Sequence, residues 1–508
     1  MSLTTKTLLT AAYRFLTITL NIISQLILIP LIAIGLGDVL YGIYVLINRT
    51  SGMIAFADFR PSAILRYVLA QNQTENKHEL QNKYVTASLI VALIFVPLIL
   101  VACGVIIFIF PKLYNVPQQY VMVALIGIVL ISIRILSQSF TMIPSSVLRG
   151  NNLEYKLWWN SLVNIIGAFI LMYIAIRLNW GIIGLLSAPL VTSILVGYFS
   201  FITMKKELPW LHFSKPDNGM IREMTNHGGW YMLNSLMLQL YHSADIIILG
   251  IVTDFKSVAF YSICKAMLFR ANESLANLFG APAAGIGQLI GYNNNEAVIK
   301  TRENILRITI LVIGMMGGGF LALNKHFIIL WMSERYYLGD MVNVIFVCGA
   351  SMMLFSAIDD MILQCILQFK IRSFIITSAV IVMSSTCYYL AYYWGTLGAA
   401  LGLLTGVSVF TIISFIILSK QLGISSWRAL APLMNTICAV VALFLIIYFL
   451  TSTYNLTLHN WLEFVVAVMI VGTAMFIYLL IFGINAKQRI FYFEIIRSRY
   501  PQIANLIR

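Results

Sequence analysis

Long apolar runs, separated by short polar stretches, recur from the first residues to about Gly483. An α-helix needs about 20 mainly apolar residues to cross the hydrocarbon core of a bilayer. Fourteen such runs can be placed, starting near Leu8, Leu40, Thr86, Gln118, Leu157, Gly181, Trp230, Val258, Asn304, Met341, Phe374, Thr396, Ala431 and Trp461. The predicted fold class is therefore an all-α integral membrane protein of about 14 transmembrane helices. No cleavable signal peptide is expected, since the first run continues to about Ile34, too long for a signal-peptide core.

An internal repeat divides these helices. Trp180-Gly181-Ile182-Ile183-Gly184 recurs as Trp394-Gly395-Thr396-Leu397-Gly398, a shift of 214 residues, and Asp38 matches Asp254 at a shift of 216. At the second shift Arg49 falls on Lys265. The shift equals six spans, an even number, so the repeats share one topology about an axis along the membrane normal. The expected plan is two pseudo-symmetric six-helix lobes, residues 1–204 and 230–420, joined by a cytoplasmic linker over 205–229. Two further spans (421–485) and an amphipathic cytoplasmic tail (486–508) follow. The tail mixes Arg and Lys with Ile and Phe, which suits the anionic inner leaflet. Gly317-Gly318-Gly319 and the series Gly398, Gly402, Gly406 read as tight helix-packing surfaces.

The polar positions inside the apolar runs carry the candidate chemistry. Residues 40–66 hold Asn48, Arg49, Asp58 and Arg60 at membrane depth, where each charge costs several kcal/mol unless it faces water or a partner. On one continuous helix Arg49 and Arg60, eleven residues apart, would share a face about 16 Å apart along the axis, with Pro61 favouring a kink beside them. Arg14 joins Asn21 and Gln25 in a stripe on the first span, and Arg134 joins Gln138 and Thr141 on the fourth. In the carboxyl half the intramembrane charges are Asp245, Lys265, Arg270, Glu273, Asp359 and Asp360. A water-filled central cavity accounts for so many ionisable groups, and interhelical hydrogen bonding is the alternative for the uncharged members.

Composition and charge sharpen this picture. Of 508 residues 60% are hydrophobic and 10% charged, which excludes a soluble protein, and the formal net charge is +14. That charge does not point to nucleic acid, because 22 of the 33 Lys and Arg fall in the termini and even-numbered loops, against 5 in the odd-numbered loops. The positive-inside rule then puts both termini in the cytoplasm. The six cysteines lie in apolar segments without metal-type spacing and read as structural thiols. No phosphate-binding loop, nucleophile elbow or metalloprotease motif is present, so the expected protein is a transporter rather than an enzyme, with no cofactor and no metal.

Two six-span lobes, a cytoplasmic strap, two extra spans and an arginine-bearing second span resemble the polysaccharide flippases of the multidrug/oligosaccharidyl-lipid/polysaccharide exporter superfamily. The local stretches that carry the resemblance are GLGDVLYGIY at residues 35–44 and IPSSVLRGNN at 143–152. The resemblance implies alternating access and a polyprenyl-pyrophosphate-linked oligosaccharide moved across the bacterial cytoplasmic (inner) membrane for surface polysaccharide synthesis. It also implies membrane lipids and a polysaccharide polymerase as partners. A lipid II flippase or an ion-coupled multidrug exporter of the same superfamily is the alternative. The amino half sums to +3 at depth, from Arg14, Arg49, Arg60 and Arg134 against Asp58, which suits an anionic headgroup better than an organic cation. The four arginines are the expected pyrophosphate ligands, because a guanidinium offers a bidentate fork.

The carboxyl half sums to −2, from Lys265 and Arg270 against Asp245, Glu273, Asp359 and Asp360. Arg270 and Glu273 are spaced to pair, and Lys265 is placed to engage Asp359 or Asp360. An acid left over is a candidate for coupling to H+ or Na+, with Asp359 or Asp360 favoured. The alternative is that all four acids only position helices.

Overall fold

The structure is a computed structural model that describes residues 3–57, 59, 61–71, 78–280, 282–292, 294–366, 368–453 and 458–484. Among the described residues the chain is helical with no strand. In order the helices are α1 (Leu3–Ser51), α2 (Pro61–Gln71), α3 (His78–Leu113), α4 (Gln118–Gly150), α5 (Trp158–Arg177), α6 (Gly181–Glu207), α7 (Asn218–Val252) and α8 (Phe255–Phe279). They continue with α9 (Ala283–Gly291), α10 (Asn295–Trp331), α11 (Asp340–Cys365), α12 (Phe369–Gln421), α13 (Ser426–Leu430), α14 (Met434–Thr453) and α15 (Trp461–Tyr478).

Among the described residues eleven stretches are long and apolar enough to cross a bilayer. Two of them are bent: α1 at Gly37 (φ 73°) and α12 at Gly395 (φ 54°), each giving two arms. A positive φ of this kind is open to glycine without a Cβ penalty. α8 falls outside those eleven: its 25 residues match the bilayer in length but carry Lys265, Arg270 and Glu273. With both bends and α8 counted, fourteen spans stand in the order expected from the sequence.

The repeat is visible in the backbone. Gly181, at the head of α6, has φ 56°, and its counterpart Gly395 has φ 54°. The second long helix of each half is followed by a short one. In the first half α1 passes through a 3-10 turn at Gly52–Phe56 before α2, and in the second α8 gives way to α9. Proline supplies part of the reason, since Pro61 opens α2 where its missing N–H costs nothing.

By packing, the chain forms two compact units, Met1–Ile263 with Met383–Gly402, and Cys264–Val382 with Leu403–Arg508. In the first, a buried cluster that includes Leu65, Leu69, Val85, Val147, Met204 and Met224 joins α2, α3, α4, α6 and α7. The connector between α6 and α7 packs on that cluster through Trp210 and Leu211. It is shorter than the linker expected over 205–229, because α6 runs on to Glu207 and α7 begins at Asn218. Buried Asn82 accepts a hydrogen bond from the His212 backbone N–H at 3.1 Å, and His78 stacks on Trp210 at 4.0 Å. In the second unit the glycines of α10 admit α14 and α15. A Cβ on Gly317 would stand 2.5 Å from the Phe444 ring, and one on Gly318 would stand 2.7 Å from the Met475 sulfur. The expected packing role of Gly317 and Gly318 is met there.

Candidate functional site

The amino-terminal unit brings Arg134 of α4 beside the second arm of α1. Arg134 lies within electrostatic range of the Tyr44 phenol, and its Nε is buried without a hydrogen-bond partner among the described residues. Asn48, one turn beyond Tyr44, donates its amide to the Tyr44 carbonyl at 2.9 Å, and half-buried Arg49 is the next residue. Neighbouring glycines allow this arm its close packing. A Cβ on Gly42 would stand 2.1 Å from the Phe255 carbonyl oxygen, and one on Gly52 would stand 2.4 Å from the Gln239 amide nitrogen. Farther along the arm, Thr50 and Tyr114 share a hydrogen bond of 2.7 Å. The result is a guanidinium within electrostatic range of a phenol, with a second arginine five residues beyond that tyrosine on the same arm. An anion with several acceptor oxygens suits such a set.

The four expected arginines are therefore placed in part. Arg49 and Arg134 are as described above, whereas Asp58, Arg60 and the side chain of Arg14 lie outside the described residues. One expectation is corrected. The common face of Arg49 and Arg60 assumed a continuous helix, but α1 ends at Ser51, a 3-10 turn follows, and α2 starts only at Pro61. Across that break a spacing of eleven residues fixes no azimuth.

The carboxyl-half charges are distributed differently from the expectation. Fully buried Asp245 on α7 accepts the Tyr261 hydroxyl of α8 at 2.8 Å. Lys265, 5% exposed, lies over the Phe269 ring at 4.6 Å. Arg270 and Glu273 pair at 3.0 Å as their spacing predicts, on an exposed face. Asp359 and Asp360 are not left for Lys265. Arg302 of α10 binds Asp359 through both oxygens, at 2.7 and 2.8 Å, while also donating to Ser419 at 3.2 Å and lying over the Phe415 ring. Arg372 of α12 binds Asp360 through both oxygens, and Gln364 donates to the same carboxylate at 2.9 Å.

Both arginines precede the span starts expected near Asn304 and Phe374 and so counted among the loop charges. The difference arises because α10 begins at Asn295, capped by the Asn294 side chain, rather than near Asn304. Helix thus carries Arg302 inward, and it is 2% exposed. Counting Arg302 and Arg372 brings the sum of −2 for the carboxyl-half charges to zero. The premise that singled out Asp359 or Asp360 for ion coupling, an acid without a basic partner, does not hold at either residue. A signal for the longer helix was present in the sequence, since Glu303 and Arg307 are spaced i, i+4 and do pair in the structure. Tyr44 carried no comparable signal, because a tyrosine in an apolar run is indistinguishable from core until α4 is packed against it.

The family model described as polysaccharide biosynthesis protein matches residues 10–285. A search of curated proteins finds no match. Among solved structures, the lipid II flippase MurJ in an inward closed conformation is similar with a TM-score of 0.71, covering 96% of this chain and 100% of that one at 14% identity. An inward-facing multidrug resistance transporter of the MATE family gives 0.66, covering 79% and 94% at 14% identity. A transporter of the same superfamily from Pyrococcus furiosus, with a binding pocket of reverse polarity, gives 0.56, covering 83% and 94% at 13% identity. At such identities the structural likeness establishes the fold alone. The family match is broader in meaning, because it spans more than half of the 508 residues and includes Tyr44, Arg49 and Arg134. The chain belongs to the polysaccharide biosynthesis protein family.

Proposed function

We propose that this protein is a transporter that flips a polyprenyl-pyrophosphate-linked oligosaccharide across the cytoplasmic membrane by alternating access. The observation that carries this reading is the buried Nε of Arg134 on α4, unpartnered among the described residues and within electrostatic range of Tyr44 on the second arm of α1, which also carries Arg49. A pyrophosphate crossing the bilayer has to exchange water for charge-assisted donors, and guanidinium groups supply them in a planar fork. Arg14 and Arg60 complete the proposed set of ligands, and the lipid tail stays in the bilayer throughout. The family match supports a role in polysaccharide synthesis. The full-length fold likeness to a lipid II flippase favours a second reading, in which the headgroup is lipid II.

The test replaces Arg134 and Arg49 singly by alanine and by lysine in cells that depend on this protein for surface glycan. Each alanine variant is expected to abolish glycan export at unchanged membrane abundance, with lysine restoring a minor part. Normal glycan in both alanine variants would refute the reading. Transport of lipid II, but not of a polyprenyl-linked oligosaccharide, by the purified protein in proteoliposomes would select the second reading. Ion gradients imposed across the same proteoliposomes report whether H+ or Na+ movement drives the step.

A further inference from the structure

A cavity of about 420 Å³ opens in the carboxyl-terminal unit among α10, α11, α14 and α15, far in sequence from the arginine cluster. Its walls are amphipathic. Lys325 and His326 of α10 and Asp340, the first residue of α11, supply the charged and titratable groups. Leu323, Ile447 and Val471 supply apolar surface, and the first two are buried. On the orientation read from loop charges, the loop between α10 and α11 lies at the outer face.

The charges are arranged as separate partners. Lys325 is exposed and forms no ion pair among the described residues. Asp340 accepts the Tyr337 hydroxyl at Oδ1, 2.6 Å away. Burial first, and the bond to Asp340 second, hold the Tyr337 phenol far above its ordinary value, so it remains a donor and Asp340 remains the acceptor. One cation and one anion on the wall of an apolar-floored cavity match a zwitterion with an apolar tail. The volume falls within the range of small-ligand sites, roughly 300–1,000 Å³, and holds a headgroup with the start of one chain. The outer surfaces of α14 and α15, where Leu450 and Val468 are exposed, are available to the rest of the tail.

We propose that this cavity is a binding site for a phospholipid with a primary-amine headgroup, of the phosphatidylethanolamine class. Its phosphate would bind Lys325 and His326, its ammonium would bind Asp340, and one acyl chain would lie along Ile447 and Val471. A primary ammonium donates hydrogen bonds to a carboxylate, whereas a trimethylammonium cannot, so the site selects ethanolamine over choline. A glycerol headgroup lacks the cation that Asp340 requires.

The full-length protein, purified in a mild detergent and incubated with equimolar phosphatidylethanolamine, phosphatidylcholine and phosphatidylglycerol of identical chains, is examined by native mass spectrometry. Wild type is expected to retain phosphatidylethanolamine preferentially. Asp340→Asn should lower that preference about tenfold, as loss of one charge-assisted hydrogen bond predicts. Lys325→Gln should weaken retention of all three lipids, and so should Val471→Trp, which fills the apolar end. Equal retention of the three lipids by wild type overturns the proposal without recourse to any variant. So does an unchanged preference in Asp340→Asn, or stronger retention of a polyprenyl phosphate added as competitor, which would assign the cavity to the carrier lipid.

Discussion

Arg302 and Asp359 show what a buried charge does when its partner is supplied. They are 2% and 0% exposed, and the guanidinium engages both carboxylate oxygens, the Ser419 hydroxyl and the Phe415 ring. Removing one member leaves the other desolvated and unpaired, which costs about 3–5 kcal/mol. Asp359→Ala is therefore expected to lower the melting temperature sharply in detergent, with loss of transport following loss of folded protein. Replacing both residues by similarly sized apolar side chains, Arg302→Met with Asp359→Leu, is expected to restore folding nearly to wild type. If the double variant folds yet loses dependence on an ion gradient, the pair has a role in coupling. If it transports as wild type does, the pair only positions helices. Arg134 differs in kind, because its Nε has no hydrogen-bond partner among the described residues.

At the scale of elements, the bends at Gly37 and Gly395 define where one arm becomes the next. Gly395 has a positive φ and open space where a Cβ would go. Gly395→Ala therefore meets only the conformational penalty, about 1–3 kcal/mol. Three residues on, Gly398 is limited by packing, since its Cβ would stand 2.0 Å from the Leu390 carbonyl oxygen. Gly398→Ala is expected to be the more destabilising of the two, because a backbone atom cannot swing aside as a side chain can. Thermal unfolding of the two variants followed by size-exclusion chromatography checks the order. The Trp-Gly-x-x-Gly repeat thus joins two demands, conformational freedom at its first glycine and close helix approach at its second.

For the whole molecule, orientation is the property most directly tied to composition. Reporters active on only one side of the membrane, fused at the amino terminus and within residues 208–217, are expected to report the cytoplasm, and one placed within 332–339 the opposite side. The reverse pattern would invert the direction in which the amino-half arginines are reached. The all-helical membrane fold, the packing role of Gly317 and Gly318, and the Arg270–Glu273 pair all followed from the sequence. Each depends on helical periodicity or on the length needed to cross a bilayer, which are local properties of the chain. What only the tertiary structure decided were contacts between helices distant in sequence, Arg302 with Asp359 and Arg372 with Asp360, and the approach of Arg134 to the arm that carries Tyr44. The break between Ser51 and Pro61 likewise removed an azimuth that spacing alone had suggested. Periodicity orders residues on one helix, but which face meets which neighbour depends on packing of the whole bundle. There the need to neutralise each desolvated charge draws arginines inward from positions that composition alone assigned to loops.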